Sequence, residues 1–123
     1  MKHPEADEQM ALIQWLKFDE KKYPELKYLY AIPNDIRTTP QRAMRAKKMG
    51  MRAGVPDLCL PVPRRGCHGL YIEMKSKKGR LSTAQKDFLG FVGSAGYKIM
   101  VCYSAEQARK AILDYLGGWA SLD

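Results

Sequence analysis

The chain has 123 residues, 46% of them apolar, with 21 Lys or Arg against 13 Asp or Glu and a net charge of +8. That length and apolar content fit one core in one domain and exclude a disordered chain, and no apolar run reaches the roughly 20 residues that span a bilayer. The N-terminus turns acidic at Glu5 with no apolar stretch behind it, so we expect no secretion signal, no membrane and a reducing cytoplasm. The expected partner of so basic a chain is nucleic acid.

The first element is a helix over residues 4 to about 22, where Leu12, Trp15 and Leu16 recur at helical spacing until Tyr23-Pro24 stops it. An aromatic, β-prone run over residues 27–32 predicts a first strand, ended by Pro33-Asn34-Asp35. A basic helix follows over residues 37–52, with Pro40 suited to its first turn and Gly50 or Gly54 as its stop. Residues 57–60 predict a second strand and residues 70–75 a third, paired as a hairpin across a glycine-bearing basic loop. Ser82-Thr83-Ala84-Gln85 and Ser104-Ala105-Glu106-Gln107 both have capping-box spacing, and each opens a helix. Between those helices residues 97–103 predict the fourth strand, and Gly117-Gly118 closes the last helix.

The order is α-β-α-β-β-α-β-α. Strands three and four, joined through a helix, should run parallel with a right-handed crossover. The expected fold is a single α/β domain with a mixed four-stranded sheet.

Some chemistry can be set aside. Cys59, Cys67 and Cys102 are odd in number and form no C-x-x-C pair, so neither a disulfide framework nor a zinc site is indicated. Cys59 and Cys102 lie in apolar runs and read as small core residues. The only histidines, His3 and His68, are widely separated, which argues against a histidine metal centre or a Ser-His-Asp triad.

What remains is Asp57, then Glu73-Met74-Lys75, then Gln85. Glu-x-Lys alone is a weak signal, since Glu20-Lys21-Lys22 and Glu25-Leu26-Lys27 match it too. Context separates the copies. Glu73 and Lys75 end an apolar strand, and their spacing puts both on the face shared by Tyr71. Charges on a face otherwise covered by helix are costly unless paired or metal-bound. Asp57 can approach Glu73 across the hairpin, and a divalent cation relieves the repulsion of converging carboxylates. Hard oxygen ligands, here Asp57, Glu73 and the Met74 backbone carbonyl, suit Mg²⁺ or Mn²⁺. Such an ion can polarise a phosphoryl oxygen and activate water for in-line attack. Lys75 would orient the water or stabilise charge in the transition state.

Gln85 has two readings, helix cap or contact with phosphate or metal-held water. Glu8 shares a helical face with Leu12 and Trp15 and is a candidate further ligand. Glu5 competes with it, and the helix macrodipole explains either acid equally well. Arg37, Arg42, Arg45, Lys48 and Arg52 before the site, and Arg64, Arg65, Lys77, Lys78 and Arg80 in the loops flanking the third strand, are candidate DNA-phosphate contacts.

Taken in order, Gly54-Val55-Pro56-Asp57-Leu58, Gly69 through Lys75 and Leu81 through Gln85 resemble the motifs of the VRR-NUC (virus-type replication-repair nuclease) family, part of the PD-(D/E)XK superfamily. The similarity extends to Glu8-Gln9 and to Ala31-Ile32-Pro33-Asn34, and covers residues 5 to about 116. The resemblance implies a restriction-endonuclease-like fold and a Mg²⁺- or Mn²⁺-dependent DNA nuclease. Asp57, Glu73 and Lys75 match the family's catalytic core, Glu8 its first-helix acid, and Gln85 the glutamine beyond the core. It also implies kinship with small stand-alone members found in phages and prophages, which are similar to Holliday-junction resolvases and act on branched DNA as homodimers. Asn34-Asp35 departs from the Asn-Gly expected of the family.

Overall fold

The computed structural model describes residues 4–33 and 39–118. The departure at Asn34-Asp35, and Arg37, lie outside the described residues. The order of elements is α1 (Pro4–Asp19), a 3-10 helix (Pro24–Tyr28), β1 (Tyr30–Ala31), α2 (Pro40–Lys48), β2 (Leu58–Leu60), β3 (Leu70–Met74), α3 (Thr83–Ser94), β4 (Lys98–Cys102), α4 (Ala105–Leu113) and a π-helical turn (Asp114–Gly118).

The strands form one sheet in the order β1-β2-β3-β4. β1 and β2 pair antiparallel, as do β2 and β3 with Leu58 opposite Ile72, whereas β3 and β4 are parallel with Glu73 beside Val101. The expected mixed sheet, hairpin and parallel crossover are all present.

Alternation along the strands divides the two faces. Leu58, Leu60, Leu70 and Ile72 are fully buried and join Leu12 and Leu16 of α1 and Ile112 of α4 in one core. Asp19 at the end of α1 takes two hydrogen bonds from the Arg109 guanidinium of α4, at 2.9 and 2.8 Å, which fixes the two helices against each other. The opposite face carries Tyr71, whose ring meets Phe88 of α3 edge-on at 5.9 Å.

α3 is capped as its sequence predicts: Ser82 Oγ accepts from Gln85 N–H and Gln85 Oε1 accepts from Ser82 N–H, both bonds of the capping box. It ends at Ser94, and Gly96 just beyond its cap has a φ of +104°, which suits a residue without a Cβ. There Tyr97 N–H reaches back to Val92 O, and Gly96 N–H to Gly93 O.

Several expectations need correction. α1 stops at Asp19, and the run expected as strand from residue 27 begins as the 3-10 helix, leaving only Tyr30–Ala31 as strand. Pro24 supplies the cause, since its fixed φ suits the first turn of a helix. α2 starts at Pro40 and is shorter than the basic stretch that contains it. At α4, Ser104 Oγ accepts from Gln107 N–H, but Gln107 Oε1 accepts from Tyr103 N–H instead of closing a capping box.

Candidate active site

Three chain segments build the site. Continuing the β2–β3 register one step past Leu58 and Ile72 sets Asp57 opposite Glu73, close enough for the side chains to interact on one face. Asp57 is tied down further: its Oδ2 accepts from Met74 N–H at 2.7 Å, and its carbonyl accepts from Ile32 N–H at 2.8 Å. Glu73 is 3% exposed, the only buried charged residue among those described.

Lys75 follows directly, its backbone N–H bonded to Cys102 O at the end of β4 and its ammonium 3.5 Å from Glu73 Oε2. The turn at Gly79 lies over the lysine stem. α3 brings the third segment. Because Gln85 Oε1 is occupied by Ser82 N–H, its amide nitrogen is left to donate, and it donates to Glu73 Oε2 at 3.0 Å. The cap expected from the sequence and a hydrogen bond to Glu73, which the sequence reading did not foresee, are made by the two ends of one amide.

The position of α3 depends on Gly54. Its φ is +88°, and a Cβ there would lie 2.3 Å from Ala84 O. The loop leading to Asp57 therefore packs backbone to backbone on the first turn of α3, next to Gln85.

Burial pushes the Glu73 carboxyl up to about 7, and repulsion from Asp57 adds to that, against the opposing pull of Lys75. Asp57 is also raised, mainly by burial, with Met74 N–H, Glu73 and Lys75 pulling it back and the charge of Glu5 pushing it up. Two carboxyls that resist sharing two negative charges, with one ammonium beside them, are short of positive charge.

Glu5 is thus the first-helix acid that Asp57 senses, while Glu8 lines a cavity with Ser76 and Lys77. Among the described residues no three acidic, His or Cys side chains cluster as a metal-binding group. The two carboxylates that do face each other, Asp57 and Glu73, are of a kind that fits a hard divalent cation filling its remaining positions with water and phosphate oxygens.

The cations sort by the same register. Since Asp57 and Glu73 lie at one end of the hairpin, the loop bearing Arg64 and Arg65 lies at the other, about five strand residues away. Both side chains are engaged there. Arg64 pairs with Glu25 and donates to Leu116 O and Pro63 O, and Arg65 donates to Asp114 O. Both side chains thus serve contacts within the fold, at the end of the hairpin away from Asp57 and Glu73.

Lys77, Lys78 and Arg80 lie at the site's end and line a cleft of about 780 Å³ together with Lys86 and Tyr103. Arg42, Arg45 and Lys48 are exposed on α2, as is Arg52 beyond it. Sequence reasoning missed Lys86 and Tyr103. The signals were available, since Lys86 follows Gln85 and Tyr103 follows the carboxyl end of a parallel strand, where α/β sheets bind ligands.

An acidic pair with a lysine two residues on, at the end of a mixed sheet flanked by helices, defines a PD-(D/E)XK-like α/β domain. The VRR-NUC domain model matches residues 3–106, and the chain belongs to that family, which is of nuclease type. A solved structure described as a VRR-NUC domain protein is 25% identical and superposes with a TM-score of 0.77, covering 94% of this chain and 90% of the other. No curated protein matches the chain. No helix among the described residues is long and apolar enough to cross a membrane.

Proposed function

We propose that the protein is a divalent-metal-dependent DNA endonuclease that hydrolyses phosphodiester bonds, with Asp57, Glu73, Lys75 and Gln85 as its working residues. The observation that carries this reading is Glu73, buried, raised to about 7 and contacted at once by Lys75 and Gln85.

Asp57, Glu73 and the Met74 carbonyl would hold Mg²⁺ or Mn²⁺, with Glu5 or Glu8 as the acid from α1. When bound, the ion supplies charge neutralisation at the scissile phosphate and a water acidic enough to attack it. Gln85 holds the Glu73 carboxylate in one orientation. Lys75 balances that carboxylate and offers its ammonium to the developing charge on phosphorus oxygens. Lys77, Lys78, Arg80 and Lys86 hold the phosphates that flank the cut, and Arg42, Arg45, Lys48 and Arg52 extend the basic surface.

The family resemblance supports a finer reading: branched DNA as substrate, four-way junctions resolved symmetrically, and a homodimer that sets two sites about a two-fold axis. The test incubates labelled four-way junction and matched linear duplex with Mg²⁺, Mn²⁺ or EDTA, with Asp57→Ala alongside and light scattering at the same concentration. Symmetric, metal-dependent junction cleavage by a dimer, with binding but no cleavage by the variant, is the expected result. Binding of DNA without cleavage in either metal would reduce the protein to a binding module. Junction cleavage by a monomer would remove the two-fold arrangement.

A further inference from the structure

Two cavities meet beside the active site. One is the basic cleft of about 780 Å³, and the other, of about 570 Å³, is lined by Asp7 and Glu8 of α1 and by Ser76 and Ser104. Lys77, Lys78 and Tyr103 belong to both, so they form the partition. Tyr103 is 41% exposed at the carboxyl end of β4. Its backbone N–H is fixed by Gln107 Oε1 at 2.7 Å, while its hydroxyl finds no partner among the described residues. The tyrosine is therefore an exposed aromatic ring carried on a fixed stretch of backbone.

The charges on either side decide what fits. Arg80 and Lys86 add to the positive charge of Lys77 and Lys78 in the first cavity, whereas Asp7 and Glu8 offset those two lysines in the second, so phosphates are drawn to the first. The second cavity therefore suits a flat, uncharged group attached to a phosphate chain running through the first. A nucleobase is such a group. In a duplex both faces of each base are covered by its neighbours, so only an unpaired nucleotide can present a face to the ring. Lys77 is two residues from Lys75, at most about 7 Å between Cα atoms, so the unpaired nucleotide would adjoin the scissile phosphate.

We propose that Tyr103 is a stacking platform for an unpaired DNA base next to the cut, with the base in the cavity between α1 and the β4–α4 turn and its phosphates in the basic cleft. This rests on the nuclease reading and adds a substrate feature to it, DNA that offers a single-stranded nucleotide where strands branch.

The test measures binding in EDTA, so that nothing is cut, to a splayed duplex with single-stranded arms and to a linear duplex of the same length. Tyr103→Ala should weaken splayed-DNA binding roughly 5- to 150-fold, the range for one lost base–aromatic stack, and change linear-duplex binding less than about twofold. Tyr103→Phe, which keeps the ring, should bind as wild type does. A 2-aminopurine at the first unpaired position should be quenched by wild type and Tyr103→Phe but not by Tyr103→Ala, with circular dichroism showing all three folded. Equal loss on both DNAs, or no loss on either, overturns the proposal. If wild type cuts linear duplex in Mg²⁺ but shows no preference for splayed DNA, the stacking site fails and the nuclease reading stands. If it binds neither DNA, both fail.

Discussion

Glu73 is an acid held almost entirely out of water, 3% exposed. The folded chain keeps a proton there up to about pH 7, the unfolded chain only to the ordinary value of 4.5. Between those values the folded state binds more protons, so its stability falls as pH rises through that window, by roughly 3 kcal/mol at most. The metal-free protein should therefore melt at a lower temperature near pH 8 than near pH 5.5. Glu73→Gln should shrink that difference without abolishing it, because Asp57 is raised too. An unchanged difference in the variant would show that Glu73 is not the group responsible.

Gln85 can be tested without disturbing its helix. Gln85→Glu keeps an oxygen for Ser82 N–H but replaces the donor to Glu73 with a second negative charge. Cleavage should fall roughly 10- to 100-fold, the usual cost of losing a group that orients a ligand, with helix content unchanged by circular dichroism. A fully active variant would leave Gln85 as a cap alone.

At the scale of elements, the close approach of the Gly54 loop to α3 couples Asp57 to Gln85. Gly54→Ala meets both an unfavourable backbone conformation and a backbone oxygen at 2.3 Å, and should cost about 2–4 kcal/mol in urea unfolding. Gly50→Ala isolates the first effect, because Gly50 has φ +100° but nothing within 4 Å of a Cβ. The expected order is Gly54→Ala well below Gly50→Ala; equal losses would mean that the loop yields and the contact is not needed.

Across the whole molecule, the charge of +8 is divided between holding the fold and facing solvent. For DNA binding, the slope of log affinity against log salt should shrink by about 0.9 for each phosphate contact removed. Lys77→Ala should lower it by about that much. Arg64→Ala should leave it unchanged and instead destabilise the protein, since Arg64 ties Glu25 to the carbonyl of Leu116. A slope that falls with Arg64→Ala would return that residue to the DNA surface.

By itself the sequence determined the order of elements, the parallel crossover and the meeting of Asp57, Glu73 and Lys75 at one end of the hairpin, because periodicity, turn residues and capping spacing are local signals. It also separated the Glu73 copy of Glu-x-Lys from two others, because only that one ends an apolar strand. Tertiary structure decided the rest. The hairpin register sent Arg64 and Arg65 to the far end although they flank the same strand as Lys77. The packing of Gly54 on Ala84 sets the start of α3 beside the loop to Asp57, where Gln85 adds a hydrogen bond to Glu73 to the cap that its local spacing already gives. The approach of α1 to β2 put Glu5 in reach of Asp57's charge. Distances between elements depend on how side chains fill the space between them, and no spacing along the chain encodes that.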